Sequence, residues 1–245
     1  MCGRYAITLP PQAMREHFAY PEQPNFPPRY NIAPTQPVPV IRNHEGRRQF
    51  LLMRWGFIPG WVKDTRDFPL VINIRSESAR EKPSFRAAFS RRRCLMPVDG
   101  FYEWHRLDKE SRPYLFRKPD QALFAFAALW ETWHSQDGSE IDTVAMVTGP
   151  ANGLMSAFHH RCPVILAPAD HAAWLDASAR DGDVAALLKP PAEDLLEAVR
   201  IGTAVNRVSN DGPEVQAPYD ATAENRTPPA KPRQPVEPPA QGSLF

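Results

Sequence analysis

The chain has 245 residues, of which 42% are hydrophobic, so it holds enough apolar material for one large domain or two small ones. Its three cysteines cannot all pair, and no stretch resembles a signal peptide or a continuous apolar span. We therefore expect free thiols, no membrane association and a location in the cytoplasm.

The formal net charge of +1 conceals an uneven distribution. Residues 42–118 contain 18 Lys and Arg against 9 Asp and Glu, whereas the rest of the chain contains 11 against 19. The same segment is rich in aromatic rings, and basic groups interleaved with rings suit single-stranded nucleic acid, because phosphates attract cations and unpaired bases stack on rings. The alternative is a solvated basic face with its rings in the core.

Taken in chain order, the hydrophobic pattern predicts mostly strands. Apolar or alternating runs cover residues 4–9, 38–42, 49–54, 114–117, 123–130 and 141–148. Turn residues at 43–46 and 136–139 predict hairpins. Helical patterns are shorter and cover 12–18, 169–175, 183–188 and 192–199. This order predicts an α+β fold, in which peripheral helices surround a strongly bent, barrel-like antiparallel β core.

The last part of the chain has a different composition. Residues 219–245 hold six of the 28 prolines and almost no apolar side chain before Leu244 and Phe245, so we expect a disordered tail after a single domain over residues 2–218. The final sequence QGSLF resembles the peptides with which bacterial proteins dock on the replication sliding clamp, and Gln241, Leu244 and Phe245 would be its anchors. The alternative is an ordinary C-terminus. We expect a monomer.

Cysteine at position two allows unusual chemistry. Removal of Met1 would leave Cys2 with a free α-amine beside its thiol, and the reference pKa values of about 7.7–8.0 for the amine and about 8.5 for the thiol leave both nucleophiles partly available near neutral pH. Such a 1,2-aminothiol captures an aldehyde twice, first as an imine and then as a five-membered thiazolidine. The alternative is a small buried side chain at the start of a strand.

Several other stretches combine polar and aromatic residues. They provide a carboxylate, an imidazole, an amide and guanidinium groups, which together would support imine chemistry next to a phosphate backbone. The sequences are RYNIAPT from Arg29, WGFIPGW from Trp55, NIRSES from Asn73, DGFYEW from Asp99 and FHHRCP from Phe158.

These motifs, with MCGRY at the start and VNRVSNDGPE from Val205, resemble the SOS-response-associated peptidase (SRAP) family from Cys2 to about Pro218. The resemblance implies the SRAP fold and a protein that senses and shields abasic sites in single-stranded DNA through a thiazolidine crosslink. It also implies a bacterial protein that is found at the nucleoid when bound to DNA.

The same resemblance assigns roles to individual residues. Cys2 would be the crosslinking nucleophile, Asn73 would hold the sugar, Glu103 would assist imine formation, and His159 would act in ring opening and proton transfer. The residues expected to contact the DNA strand are Arg4, Pro34, Trp61, Arg75 and Ser76.

Simpler interpretations stay open for single residues. Glu103 could pair with Arg106 on the surface, Asn73 could cap a turn, and His159 could be a core histidine. His159, His160 and Cys162 match no standard zinc pattern, and no Gly-rich phosphate loop is present, so we expect no metal and no cofactor.

Two other functions remain as alternatives for the whole chain. An amidohydrolase of the N-terminal-nucleophile type would use the Cys2 amine as a base for its thiol. A noncatalytic single-strand binder would use its phosphate contacts alone.

Overall fold

The computed structural model describes residues 2–66, 68–107 and 110–221. Its strands are β1 (Tyr5–Ile7), β2 (Arg29–Ile32), β3 (Pro37–His44), β4 (Arg47–Trp55), β5 (Asn73–Arg75), β6 (Arg93–Val98), β7 (Gly100–Leu107), β8 (Glu110–Arg117), β9 (Phe124–His134), β10 (Glu140–Pro150), β11 (Arg161–Pro163), β12 (Ile165–Leu166) and β13 (Glu197–Arg200). Its α-helices are short, namely α1 (Pro11–Phe18), α2 (Ser76–Ala79), α3 (Arg86–Arg91), α4 (Gly153–Ser156), α5 (His171–Leu175) and α6 (Asp181–Ala185). Single 3₁₀ turns occur at Pro168–Asp170, Thr203–Asn206 and Pro213–Gln216.

Five strands close into a barrel. The strand order is β10-β4-β3-β6-β9, and β9 pairs with β10 again to complete the ring. Four of the five pairings are antiparallel, while β4 and β10 run parallel where Arg54 lies opposite Thr143. The edges of this sheet are extended by β5 and β11 on β10 and by β12 on β9.

A second sheet lies beside the barrel and is antiparallel throughout. Its strand order is β13-β8-β7-β1-β2, so the short β1 is enclosed between β2 and β7. The main core runs through both sheets, since Tyr5 and Phe101 of this sheet both make ring contacts with Phe126 of the barrel. The position of β1 matters because the chain enters it directly from Cys2.

The expected α+β class with a barrel-like core is confirmed, and so are all six predicted strands and the helices at the start of the chain and near residue 171. The helix predicted over residues 192–199 is wrong, because β13 lies at its end and Glu197 pairs in register with Arg117 of β8. Local helix propensity is weak, and an open strand edge supplies backbone hydrogen bonds that override it.

The sequence pattern did not reveal β6 and β7. All six residues of β6 are buried, including Arg93, because both faces of this strand are covered. A strand buried on both faces does not alternate between apolar and polar residues, and periodicity alone does not separate it from a short buried helix.

A segment near the C-terminus is fastened to β2 by polar groups. Asn31 is fully buried, and its Nδ2 donates to the carbonyl oxygens of Val205, Arg207 and Asn210 at 3.2, 3.0 and 2.8 Å. Asp211 accepts hydrogen bonds from the backbone N–H groups of Tyr30 and Asn31 at 2.6 and 2.8 Å. The RYN and VNRVSND motifs are therefore two halves of one hydrogen-bonded junction.

The described part of the chain continues past this junction to residue 221. Tyr219 donates its backbone N–H to Arg200 at 3.0 Å. The peptide at 241–245 and the rest of the expected tail after residue 221 lie outside the described residues. Within the described ranges, no helix has the length and apolar character needed to cross a membrane.

Replacing Asn31 tests this junction. Asn31→Ala leaves the part-buried carbonyl groups of Arg207 and Asn210 without this donor, so we expect it to lower the free energy of unfolding by about 2 kcal/mol or more. Urea denaturation measures the loss. Asn43→Ala, in an exposed hairpin, is the control and should change stability by no more than about 0.5 kcal/mol. Equal stability of the two variants would contradict the structural role of the junction.

Candidate active site

Cys2 is held at the meeting point of the two sheets. The Nδ2 of Asn73, at the start of β5, donates to the backbone carbonyl of Cys2 at 3.0 Å. Two residues further on, the carbonyl of Arg4 accepts the backbone N–H of Tyr102 on β7 at 3.0 Å. A strand of each sheet therefore fixes the entry of the chain into β1.

The thiol of Cys2 is enclosed and neutral at physiological pH. The side chain is 1% exposed, and burial raises its pKa, with the negative charge of Glu103 adding to the rise. Its Sγ donates to the carbonyl of Arg4 at 3.4 Å. A thiol in this state needs a base to remove its proton before it acts as a nucleophile.

The carboxyl group of Glu103 lies close enough to Cys2 for its charge to affect the thiol. It lies on β7, its side chain is buried, and burial raises the pKa of its carboxyl, while the positive charge of the amino terminus of the chain opposes that rise. A carboxyl whose pKa is shifted towards neutrality can act as both acid and base in one reaction cycle. Glu103 is thus not an exposed surface residue, although the charge of Arg106 also acts to lower its pKa.

Asn73 brings a second polar atom to the same place. Its Oδ1 is buried and has no hydrogen-bond partner among the described residues, although its Nδ2 is occupied by Cys2. Parallel pairing of β5 with β10, with Asn73 opposite Met146, sets the position of this side chain. A buried acceptor without a partner is costly, and a ligand hydroxyl or amine would satisfy it.

His159 follows α4 and faces the carboxyl group across a cavity. Its Nδ1 accepts the backbone N–H of Arg161 at 3.0 Å, so the neutral ring carries its proton on Nε2. Burial lowers the pKa of this imidazole, which favours the neutral form. The cavity has a volume of about 440 Å³ and is lined by Glu103, Trp104, Arg106, Ser111, Phe158 and His159.

An ion pair that supports the His159 loop was not predicted from the sequence. The guanidinium of Arg161 binds the carboxylate of Glu77 through two hydrogen bonds of 2.9 and 2.8 Å, and this pair holds the pKa of Glu77 at about 2. Glu77 belongs to α2, directly after the strand that carries Asn73. The buried Arg161 therefore connects the loop that carries His159 with the helix that follows β5. Its position directly after two histidines was the sequence feature that could have identified it.

The residues expected to contact DNA occupy different environments. Arg4 is half-buried, and its Nη1 donates to Asn31 Oδ1 at 2.7 Å and to the carbonyl of Val205 at 2.9 Å, so the C-terminal junction orients its guanidinium. Arg75 is exposed, and Ser76 next to it is half-buried.

Pro34 and Trp61 lie on two loops near β4, apart from the contacts around Cys2. Pro34 is half-buried in a turn whose next residue, Thr35, donates its N–H to Trp55 at 2.8 Å. Trp61 is 62% exposed and meets Phe68 edge to face with centroids 5.8 Å apart. Thr35 and Phe68 line a depression of about 240 Å³, so both loops border the same surface.

No metal cluster stands out in the parts of the chain that are described. Within them, no group of three or more His, Cys, Asp and Glu side chains is arranged to hold an ion. His159 and His160 stack on each other with centroids 4.3 Å apart, while Cys162 Sγ contacts the carbonyl of Pro150 at 3.3 Å. These three side chains are thus occupied in other contacts.

The chain is similar in sequence to proteins that are named abasic site processing proteins. The chain is 36% identical over 220 residues to the abasic site processing protein YoqW of Bacillus subtilis, a match that covers 88% of this chain and 98% of the relative. It is 29% identical to the abasic site processing protein HMCES of Xenopus tropicalis, over 89% of this chain and 78% of the relative.

Solved structures share the fold. A protein of Bacteroides thetaiotaomicron superposes with a TM-score of 0.82 at 23% identity, over 89% of this chain and all of the other. One from Bordetella bronchiseptica superposes with a TM-score of 0.73 at 27% identity, over 82% of this chain and all of the other. The family model described as SOS response associated peptidase (SRAP) matches residues 1–208. The chain therefore belongs to the SRAP family.

Proposed function

We propose that this protein recognises abasic sites in single-stranded DNA and joins them covalently through Cys2. The observation that carries the proposal is the hydrogen bond from Asn73 to the Cys2 carbonyl, which holds a would-be terminal aminothiol beside a buried carboxyl. Relatives named abasic site processing proteins support the choice of substrate.

The reaction begins with the sugar. An abasic deoxyribose is mostly a closed hemiacetal, and opening it requires a proton on the ring oxygen and loss of the proton from the anomeric hydroxyl. Nε2–H of His159 is a suitable donor, since Nδ1 is engaged by Arg161. The unpartnered Oδ1 of Asn73 is a suitable acceptor for a sugar hydroxyl or for the α-amine.

Capture of the open aldehyde then takes two bond-forming steps. The Cys2 amine attacks C1′ to give a carbinolamine, and Glu103 in its acid form protonates the hydroxyl, which leaves as water to form the protonated imine. Glu103 as carboxylate then takes the thiol proton, and sulfur adds to C1′ of the protonated imine, which closes the neutral thiazolidine and returns Glu103 to its acid form. The raised thiol pKa favours this order over a thiolate-first attack, which an amidohydrolase would need.

The strand would approach along groups of positive charge. Arg4, already oriented by Asn31, and the exposed Arg75 are suited to phosphates next to the lesion, with Ser76 as a further donor. Exposed Trp61 offers a stacking surface for a base, and Pro34 borders the same face. Each crosslink consumes one protein molecule unless it is reversed.

Substitution of Cys2 separates the two chemical steps. With an abasic oligonucleotide, mature protein should give a lesion-dependent band on a denaturing gel, and Cys2→Ser should give none unless a cyanoborohydride traps the imine. Cys162→Ala, which removes another buried thiol, should crosslink normally. Intact mass must first verify that Met1 is absent. A stable band from Cys2→Ser without reductant, or none from the mature wild type, would refute the mechanism.

Loss of the carboxyl should slow the reaction without removing the nucleophile. We expect Glu103→Gln to reduce the crosslinking rate by about 10²-fold or more, the usual contribution of a general acid–base group. Because burial raises the pKa of Glu103 above its ordinary 4.5 and imine formation uses its acid form, the wild-type rate should show a limb above that value that falls with rising pH as the carboxylate forms. The variant should lack that limb.

Glu131→Gln is the matched control for this experiment. Burial also raises the pKa of Glu131, but this residue pairs with Arg92 at 2.7 Å outside the cavity. It should keep the wild-type rate and pH profile. The two rates are measured by stopping the reaction at successive times. If Glu103→Gln and Glu131→Gln crosslinked at the same rate, the mechanism would require a base other than Glu103.

The C-terminal peptide is proposed as a tether to the replication sliding clamp. Deleting residues 241–245 should leave crosslinking unchanged and abolish clamp binding, because Leu244 and Phe245 supply the apolar anchors. Surface plasmon resonance with immobilised clamp measures the difference. Clamp binding by the truncated chain at full strength would exclude this peptide as the anchor.

A further inference from the structure

A second polar cavity adjoins the candidate active site. Its volume is about 430 Å³, and its lining is Glu110, Ser111, Arg112, Pro113, Arg200, Ile201, Thr203 and Tyr219. Ser111 also lines the cavity that holds Glu103 and His159. The two cavities therefore share this serine, which lies opposite Arg106 near the end of the β7–β8 pair.

Arg200 is the unusual group in the second cavity. Its Nε is buried and lacks a hydrogen-bond partner among the described residues. Its guanidinium lies 3.4 Å from the ring centroid of Tyr219, whose backbone N–H donates to the Arg200 carbonyl at 3.0 Å. This cation–π contact fixes the position of the guanidinium before a charged acceptor binds.

The other charged groups of the cavity are already paired. Arg112 donates to Glu110 through its Nε and Nη2 at 2.9 and 2.7 Å. Arg200 belongs to none of the ion pairs formed between residues of the described ranges. Thr203, exposed at the start of its 3₁₀ turn, adds a hydroxyl donor to the same wall.

We propose that this second cavity is a nucleotide subsite, in which Arg200 and Thr203 bind a phosphate of the strand whose abasic residue lies at Cys2. A phosphodiester oxygen would accept from the buried Nε–H, which is otherwise left without an acceptor. The inference rests on the proposed function, because the shared Ser111 places this cavity next to the one lined by Glu103 and His159, from which the strand would extend.

Binding of undamaged single-stranded DNA tests the subsite independently of crosslinking. The probes are a short oligothymidylate and one longer by about four nucleotides at each end, followed by fluorescence anisotropy over a range of salt concentrations. For the longer probe, we expect Arg200→Gln to weaken binding about five- to tenfold and to reduce the magnitude of the salt slope by about 0.7, the value for one phosphate. The short probe should bind the variant as it binds the wild type.

Matched variants separate local from general effects. Arg180→Gln removes the same charge from an exposed residue outside both cavities and should leave the affinity and the salt slope unchanged. Thr203→Ala should weaken binding of the longer probe by a smaller factor, which keeps the test usable if Arg200→Gln unfolds. Thermal unfolding verifies that each variant is folded.

The outcomes distinguish this inference from the proposed function. Equal affinities and salt slopes for wild type, Arg200→Gln and Thr203→Ala would overturn the subsite, even if lesion-dependent crosslinking occurs. A loss confined to the longer probe would support the subsite, even if the covalent step failed. Equal weakening by Arg180→Gln would show that only net charge matters and would also overturn it.

Discussion

The hydrogen bond between Asn73 Nδ2 and the Cys2 carbonyl is the contact on which the site depends. Asn73 belongs to the strand that extends the barrel, and Cys2 leads into the central strand β1 of the second sheet. A chain terminus is ordinarily among the least ordered parts of a domain. Here the two sheets contact Cys2 and Arg4 from both sides, so the thiol of Cys2 has a defined position.

Burial sets the protonation states of that thiol and of the groups near it. It raises the pKa of the Cys2 thiol and the Glu103 carboxyl and lowers the pKa of the His159 imidazole, so all three groups are shifted towards their neutral forms. A site of neutral donors and acceptors suits proton exchange with a sugar better than it suits a permanent thiolate. The positive charges lie further out, where a phosphate backbone would run.

Polar junctions between distant segments keep these groups in register. Asn31 and Asp211 fasten the C-terminal segment to β2, and the same Asn31 orients Arg4. Arg161 and Glu77 do the equivalent on the other side, where they connect the His159 loop with the helix after β5. Half-satisfied junctions of this kind would be costly, so each motif needs its partner.

The sequence by itself determined the kind of fold, most of the long strands and the residue types of the site, because alternation, turn residues and the order of motifs are local properties. Only the tertiary structure decided that the barrel closes through a parallel pair, that residues 197–200 form a strand, and that Arg161 and Glu77 support His159. Those features depend on which groups meet across long stretches of chain. A strand edge that offers backbone partners, or a buried guanidinium that requires a carboxylate, overrides local preference, and no window of sequence contains both halves of such a contact.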